Sequence, residues 1–117
     1  MYATLTELNK TSGIKGSMLV GADGIIIAAD LESDLEDDTV GALSASILAG
    51  VKKAIKRLNY GALKQIMVEA EKGKIFLAEC RLGILVVLTE TEVNIGLIRL
   101  EMKAALKKVE NQTVSVN

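Results

Sequence analysis

The sequence contains no histidine, proline or tryptophan, and it has only one cysteine, two tyrosines and one phenylalanine. Without histidine, neither a Ser–His nor a Cys–His nucleophile pair can form, and a histidine-based metal site is excluded. The single Cys80 excludes a cysteine-rich zinc site and an internal disulfide, which fits a reducing compartment. Its position in a predicted strand favours a buried structural thiol. The shortage of aromatic residues also disfavours sites that stack cofactors or bases. We therefore expect no enzyme activity and no cofactor.

Neither sign of charge dominates the chain. It has 14 basic and 15 acidic residues, a net charge of −1, which argues against a general binder of nucleic acid or of anionic membranes. No run of sequence approaches the ~20 apolar residues that span a bilayer. Glu7 and Lys10 interrupt the N-terminus before any apolar run, unlike a signal peptide. These features predict a cytoplasmic protein that neither binds nucleic acid nor inserts into a membrane.

Two further features are weak candidates for ligand sites. The glycine pairs Gly13/Gly16 and Gly21/Gly24 are too sparse for a dinucleotide or phosphate loop and are better explained as turns. The acidic segment 32–38 lacks the spacing and the glycine of a calcium loop. We interpret it as a solvated loop whose last residues favour the start of a helix, and we predict no metal site.

The pattern of apolar residues and turn signals predicts eight elements in the order α-β-β-α-β-β-β-α. Thr89 and Glu92 have capping-box spacing for the last of them. The predicted elements are a short helix ending near 12–13, strands 14–20 and 25–29, a long helix from 37 or 38 to about 58, strands 65–71, 75–80 and 84–88, and a helix at 90–109.

This order predicts an α/β (α+β) domain over residues 1–110, followed by a frayed tail over 111–117. A five-stranded antiparallel sheet is expected to carry the long helix on one face and the two terminal helices on the other. The alternation in strand 65–71 predicts that Gln65, Met67, Glu69 and Glu71 lie on one face and Ile66, Val68 and Ala70 on the other. The strand contains neither a proline nor an obvious bulge signal. If it lies at an edge of the sheet, its unpaired backbone groups invite another strand.

The long helix carries the most informative run of the sequence, because residues 39–51 include no charged side chain. A helix that is uncharged all round must be covered on two sides. We predict that its small stripe (Gly41, Ala45, Ala49) faces a second subunit, although small residues also allow close packing on the protein's own sheet. Leu48 flanks the small stripe and is costly to leave in water. The larger stripe is expected to face the protein's own core, and it consists of Val40, Leu43, Ile47, Val51, Ala54 and Leu58.

The helix and the strand together predict a dimer interface, because both need a partner. One two-fold dimer would satisfy both demands. The predicted interface consists of Gly41, Ala42, Ala45, Leu48, Ala49 and Lys52 from the helix and of Gln65, Ile66, Met67, Val68 and Glu69 from the strand.

The order of elements and three strings resemble the Roadblock/dynein light-chain family, in particular its small prokaryotic, MglB-like members, whose architecture is profilin-like. The resemblance extends over residues 5–109. The strings are GIKGSMLV at 13–20 followed by Asp23-Gly24, VGA at 40–42, and NIGLIRLE at 94–101 continuing to Ala104-Ala105.

This resemblance implies a homodimer in which the long helices pack antiparallel and the third strands pair edge to edge. It also implies a small Ras-like GTPase as partner. Lys53, Lys56 and Arg57 are either solvated charges that suit the end of the helix or a contact with an acidic or phosphate-bearing face of that GTPase. Two alternatives are a structural scaffold that does not depend on nucleotide and a small-molecule sensor domain, the latter disfavoured by the scarcity of aromatic and convergent polar residues.

Overall fold

The structure is a computed structural model that describes residues 1–114. The predicted order of elements is confirmed over this part of the chain. The elements are α1 (Tyr2–Leu8), β1 (Ile14–Val20), β2 (Ile26–Leu31), α2 (Asp37–Leu58), β3 (Ile66–Ala70), β4 (Gly73–Cys80), β5 (Gly83–Thr89) and α3 (Ile95–Val114).

The five strands form one antiparallel sheet in the order β2-β1-β5-β4-β3. The strand predicted to need a partner, β3, therefore lies at one edge, and β2 lies at the other. Tight turns join the hairpins, as predicted from their glycines. In the β1–β2 turn the Gly24 N–H donates to the Gly21 carbonyl at 2.9 Å, and Gly24 has a φ of +86°.

The helices cover the two faces of the sheet as predicted, with α1 and α3 on one face and α2 on the other. Each face has its own hydrophobic core. The core under α1 and α3, between these helices and the sheet, consists of Leu5, Leu8, Leu19, Phe76, Ala78, Leu85, Val87, Ile98, Met102, Ala105 and Val109. The core under α2, between this helix and the sheet, consists of Met18, Val20, Leu48, Leu77, Ile84 and Val86.

A buried polar network ties the end of α1 to the first two strands. Ser17 is fully buried, and its hydroxyl donates to Oδ1 of Asn9 at 2.7 Å. Nδ2 of Asn9 donates in turn to the backbone carbonyl of Asp30 at 2.8 Å and to its carboxylate at 3.0 Å. Because each buried group has a partner, the network fixes the position of α1 without leaving a desolvated polar atom.

The predicted orientation of α2 is only partly right, because Val40 and Ile47 of the larger stripe pack against the core on this face of the sheet but other members of the stripe do not. Leu43 and Leu58, which were expected in the core, are 59% and 57% exposed. The residues of α2 that are buried are Gly41, Ser44 and Leu48. The helix is therefore rotated, so that part of the small-residue stripe faces the protomer's own sheet and much of the large-residue stripe faces outward.

The small residues at the start of α2 pack on the β1–β2 hairpin. A Cβ atom on Gly41 would lie 3.4 Å from Cγ1 of Ile26 and 3.6 Å from Cγ2 of Val20, and one on Gly24 would lie 3.9 Å from Cβ of Ala45. These are ordinary van der Waals distances, so Gly41 lies directly against the β1–β2 hairpin, and a side chain longer than that of alanine would meet the hairpin at this position. Close packing on the protein's own sheet, the alternative explanation of the small residues, is therefore confirmed at Gly41.

The last helix begins and ends later than predicted. Thr89 does not cap it, because this residue is buried at the end of β5. The N–H of Leu97 instead donates to Oδ1 of Asn94 at 3.0 Å, the geometry of an N-cap. The helix continues to Val114, so residues 111–114 of the predicted frayed tail are helical, and 115–117 lie outside the described residues.

Replacing the cap tests this boundary. Asn94→Ala is expected to lower the free energy of unfolding by about 1 kcal/mol, because the N–H of Leu97 loses its acceptor. Urea unfolding followed by circular dichroism measures the change. Asn111→Ala, an exposed asparagine in the last part of the same helix, is the control and should change the free energy by less than about 0.5 kcal/mol. Equal effects of the two substitutions would contradict the cap.

Candidate interaction surface

The described residues contain no group of three or more Cys, Asp or Glu side chains that could hold a metal ion. Within residues 1–114, none of the helices combines the length and the apolar character needed to cross a membrane. Cys80 is half-buried and packs against the core under α1 and α3. Burial raises the pKa of its thiol, so the reactive thiolate is less populated near neutral pH than in a free cysteine.

One side of α2 presents apolar residues to solvent. We call these residues the α2 flank: the exposed Leu43, Gly50, Ala54 and Leu58, together with the half-buried Ile47, which also packs against the core under α2. Their spacing of three and four places them on one side of the helix. A Cβ atom on Gly50 would meet no other atom within 4 Å, so the described part of the chain leaves the middle of the flank open. Apolar surface in this arrangement is typical of an interaction site.

The free edge of β3 lies beside uncovered apolar residues. Within the described residues, β3 pairs with β4 alone, over Ile66↔Leu77 to Ala70↔Gly73. The helix α2 contacts β2, β1 and β5, so Ile66 on β3 and Ile75 on β4 remain half-buried on the α2 face. The β3 edge thus offers both unpaired backbone groups and apolar side chains to a partner.

The predicted strand residues lie together at this edge. Met67 packs towards the core under α1 and α3, and Nε2 of Gln65 lies 3.8 Å from Sδ of Met102 on α3. Ile66 packs towards the α2 side, which confirms the predicted alternation of faces. Val68 is half-buried and Glu69 is exposed.

The structure separates the predicted helix residues. Gly41 and Leu48 are buried between α2 and the protomer's own sheet. Ala45 is half-buried, and Ala42 and Ala49 are exposed. The ammonium group of Lys52, also predicted for the interface, lies 2.6 Å from the Glu79 carboxylate of the same protomer.

Sequence reasoning missed Leu43 and Leu58 as surface residues. The signal available was the same uncharged run, 39–51, which made both stripes of the helix equally able to face a partner. The choice between the stripes by side-chain size assigned Leu43 and Leu58 to the core, whereas both are exposed.

The C-terminal end of α2 is basic. Lys53, Lys56 and Arg57 are all exposed, and within residues 1–114 none of the three takes part in an ion pair. Their position in the last turns complements the helix dipole. These residues, which we call the basic end of α2, are also free to contact an acidic partner.

A groove of about 230 Å³ lies on the α2 face, close to the turn between β3 and β4. Its apolar walls include Ile75, Leu88 and Leu35, and lysines stand at its margin. The lining residues are Lys15, Leu35, Ala70, Lys72, Gly73, Lys74, Ile75, Leu88 and Thr89.

The comparison with protein families matches the sequence to one family. The sequence profile of the Roadblock/LC7 domain covers residues 2–89, which include all five strands. The chain belongs to the Roadblock/LC7 family. A relative in Methanocaldococcus jannaschii, the uncharacterized protein MJ1340, is 44% identical over 106 residues, which are 91% of this chain and 93% of that protein.

Solved structures of other members share the Roadblock/LC7 fold. The Roadblock/LC7 domain from Streptomyces avermitilis has a TM-score of 0.89 at 21% identity and covers 98% of both chains. MglB from Myxococcus xanthus has a TM-score of 0.90 at 20% identity and covers 98% of this chain and 95% of its own. At these identities the likeness shows the fold alone.

Proposed function

We propose that this Roadblock/LC7 protein is a non-catalytic, homodimeric interaction module that binds and regulates a small Ras-like GTPase. The observation that carries the proposal is that the described part of the chain leaves both the β3 edge and the apolar α2 flank without a partner. Family membership supports the choice of a GTPase as partner.

A two-fold dimer accounts for both uncovered features at once. If two copies pair their β3 edges antiparallel, the sheets join into one and the unpaired backbone groups are satisfied. The same two-fold axis lets the two α2 flanks pack on each other. Full burial of a leucine side chain contributes about 1.5–3 kcal/mol, and Leu43 and Leu58 from each subunit are available for this burial.

The basic end of α2 is the proposed contact for the GTPase. Lys53, Lys56 and Arg57 are exposed and carry three positive charges on a rigid helix, and in the dimer two such groups are present. An acidic face on the partner would be attracted and oriented by them. The chain has no histidine, and the described residues contain no metal site. We therefore expect regulation to act by repositioning the GTPase's own catalytic residues.

A pull-down from native lysate tests the function. The purified protein is used as bait, once with a non-hydrolysable GTP analogue and once with GDP, and captured proteins are identified by mass spectrometry. Retention of a small GTPase in one nucleotide state supports a regulator, and retention in both states indicates an adaptor. Capture of proteins that are not GTPases, with no GTPase among them, would replace the proposal with a structural scaffold.

Charge reversal tests the proposed contact. The double variant Lys56→Glu/Arg57→Glu is expected to lower the affinity for the captured GTPase by about tenfold or more, because attraction becomes repulsion. The matched control is Lys103→Glu/Lys107→Glu on exposed positions of α3, which should keep the affinity within about twofold. Sedimentation must show that both variants remain dimers. Equal loss in both pairs would mean that net charge, rather than this site, controls binding.

A further inference from the structure

Tyr60 is a large side chain held in solvent by a rigid backbone. It is 75% exposed. Asn59, the residue that ends α2, adopts a left-handed conformation with φ of +57°. The N–H of Asn59 donates to the Lys56 carbonyl at 3.1 Å, and the N–H of Tyr60 donates to the Ile55 carbonyl at 3.3 Å. These two bonds form a Schellman motif, which fixes the direction in which the chain leaves the helix. The exposed phenol is therefore attached to an ordered helix end.

The groove on the α2 face has the chemistry that a phenol ring requires. Its apolar residues Leu35, Ile75 and Leu88 offer contacts to the ring. Lys72 offers an ammonium group, and the ammonium group of Lys15, which lies 3.9 Å from the Glu32 carboxylate, is a second cation at the groove. A tyrosine prefers such a site, where the ring is covered and the hydroxyl keeps a polar partner. An ammonium group can donate a hydrogen bond to the phenol oxygen or lie against the ring face.

The groove and Tyr60 of one protomer lie at opposite ends of β3. The groove includes Ala70 and Gly73, where β3 ends and β4 begins. Tyr60 precedes Ile66, the first residue of β3, by six positions along the chain. A strand of five residues separates its ends by about 13 Å at ~3.3 Å per residue. The sheet therefore places the protomer's own Tyr60 and its groove at different ends of the edge strand.

Antiparallel pairing of two β3 edges removes this separation. This step rests on the homodimer proposed above. If the five residues of each β3 overlap fully, Ile66 of one protomer stands opposite Ala70 of the partner subunit. The segment that leads from α2 into β3 then runs past the partner's groove, and both lie on the α2 face of the joined sheet.

We propose that the groove of each protomer is the binding site for Tyr60 of the partner subunit. Each site is complete only in the dimer, and the two-fold axis produces two equivalent sites. Tyr60 thus acts as the anchor that fixes the register of the β3 pair, because a shift of the strands by two residues would carry the ring away from the groove.

Tyrosine fluorescence tests the burial of this ring. In Tyr2→Phe, Tyr60 is the sole tyrosine, and the chain has no tryptophan. We expect the acrylamide quenching constant of this variant to be at least about threefold lower than that of N-acetyltyrosinamide in samples that sedimentation shows to be dimers. A dimer with the quenching constant of the free amide would overturn the Tyr60 site and leave the homodimer standing. If sedimentation instead shows a monomer, the proposed homodimer is wrong, and the Tyr60 site that depends on it is overturned as well.

The dissociation constant gives a second readout. Tyr60→Ser is expected to raise the dimer dissociation constant at least about tenfold, and Tyr60→Phe should raise it less than about threefold, because the ring is kept. Tyr2→Ser, which removes the other exposed tyrosine, is the matched control and should leave the constant unchanged. Equal effects of Tyr60→Ser and Tyr2→Ser would contradict the proposal.

Disulfide trapping locates the ring. Tyr60→Cys/Lys72→Cys is prepared in a Cys80→Ser background, and light and ¹⁵N-labelled proteins are mixed, equilibrated and oxidised. We expect a disulfide between residues 60 and 72 that joins one light and one heavy peptide. The control replaces Lys72→Cys with Lys107→Cys on α3 and should give no such bond. Dimers that trap neither pair, or both equally, would rule out the groove as the site.

Discussion

Leu43→Asp is expected to convert the proposed dimer into monomers at micromolar concentration. Leu43 is 59% exposed on the α2 flank, so the substitution leaves the protomer's own core intact. In the dimer it would bury a carboxylate on each side of the two-fold axis, without a cation to pair with it. The loss of association should exceed 100-fold, equivalent to about 2.7 kcal/mol or more. Sedimentation equilibrium gives the mass, and circular dichroism shows whether the fold is retained.

Ala49→Asp is the matched control for this variant. Both positions are exposed in the uncharged part of α2, so the local cost of an aspartate in the helix is similar. Ala49 lies outside the α2 flank and belongs to the stripe that the sequence analysis assigned to the partner. A monomer for Ala49→Asp together with a dimer for Leu43→Asp would restore the original stripe as the interface and reject the α2 flank.

Gly83→Ala is expected to lower the free energy of unfolding by about 4 kcal/mol. Gly83 has a φ of +147°, in a region that residues with a Cβ atom rarely adopt. A Cβ atom at this position would collide with the Val20 carbonyl oxygen and lie 2.7 Å from Cα of Gly21. Both neighbours are backbone atoms of the adjacent hairpin, so relief requires the sheet itself to move. Urea unfolding at a fixed protein concentration measures the loss.

Gly61→Ala separates the two causes of this loss of stability, which are the positive φ and the collision of the added Cβ atom. Gly61 also has a positive φ, of +88°, but a Cβ atom there would meet nothing within 4 Å. The substitution should therefore cost only the backbone strain, about 1 kcal/mol. If Gly61→Ala destabilised the protein as strongly as Gly83→Ala, the collision with the hairpin would not be the main cause.

The alternation of apolar and polar residues in β3 identified the two faces of the strand but not its place in the sheet. The alternation of β3 predicted correctly that Met67 and Ile66 face opposite sides of the sheet. The sequence did not decide whether β3 lies at an edge, because a strand of this composition also fits the middle of a small sheet. The hydrogen-bonded order β2-β1-β5-β4-β3 places it at the edge. The groove beyond Ala70 was not predictable at all, since it joins residues from five separate segments of the chain.

The start of α3 shows how two similar local signals compete. Thr89 and Asn94 both have the chemistry of an N-cap, and the capping-box spacing of Thr89 with Glu92 favoured the first. In the structure the β-sheet extends through Thr89, and Lys74, buried in β4, donates to the carbonyl of Thr91 in the loop that follows. Pairing with a strand distant in sequence decided between the two caps.

The sequence by itself determined the elements, their order and the chemistry that the chain lacks. The limits of β1, the start of α2 at its acidic residues and its end at Asn59 depend on caps, turns and alternation, which are interactions between neighbours in sequence. Only the tertiary structure decided which side of α2 is left for a partner. The uncharged run 39–51 does not distinguish the two stripes, and the packing of the helix on the sheet decided between them. Gly41, Ser44 and Leu48 are buried against the sheet, whereas Leu43 and Leu58 face solvent.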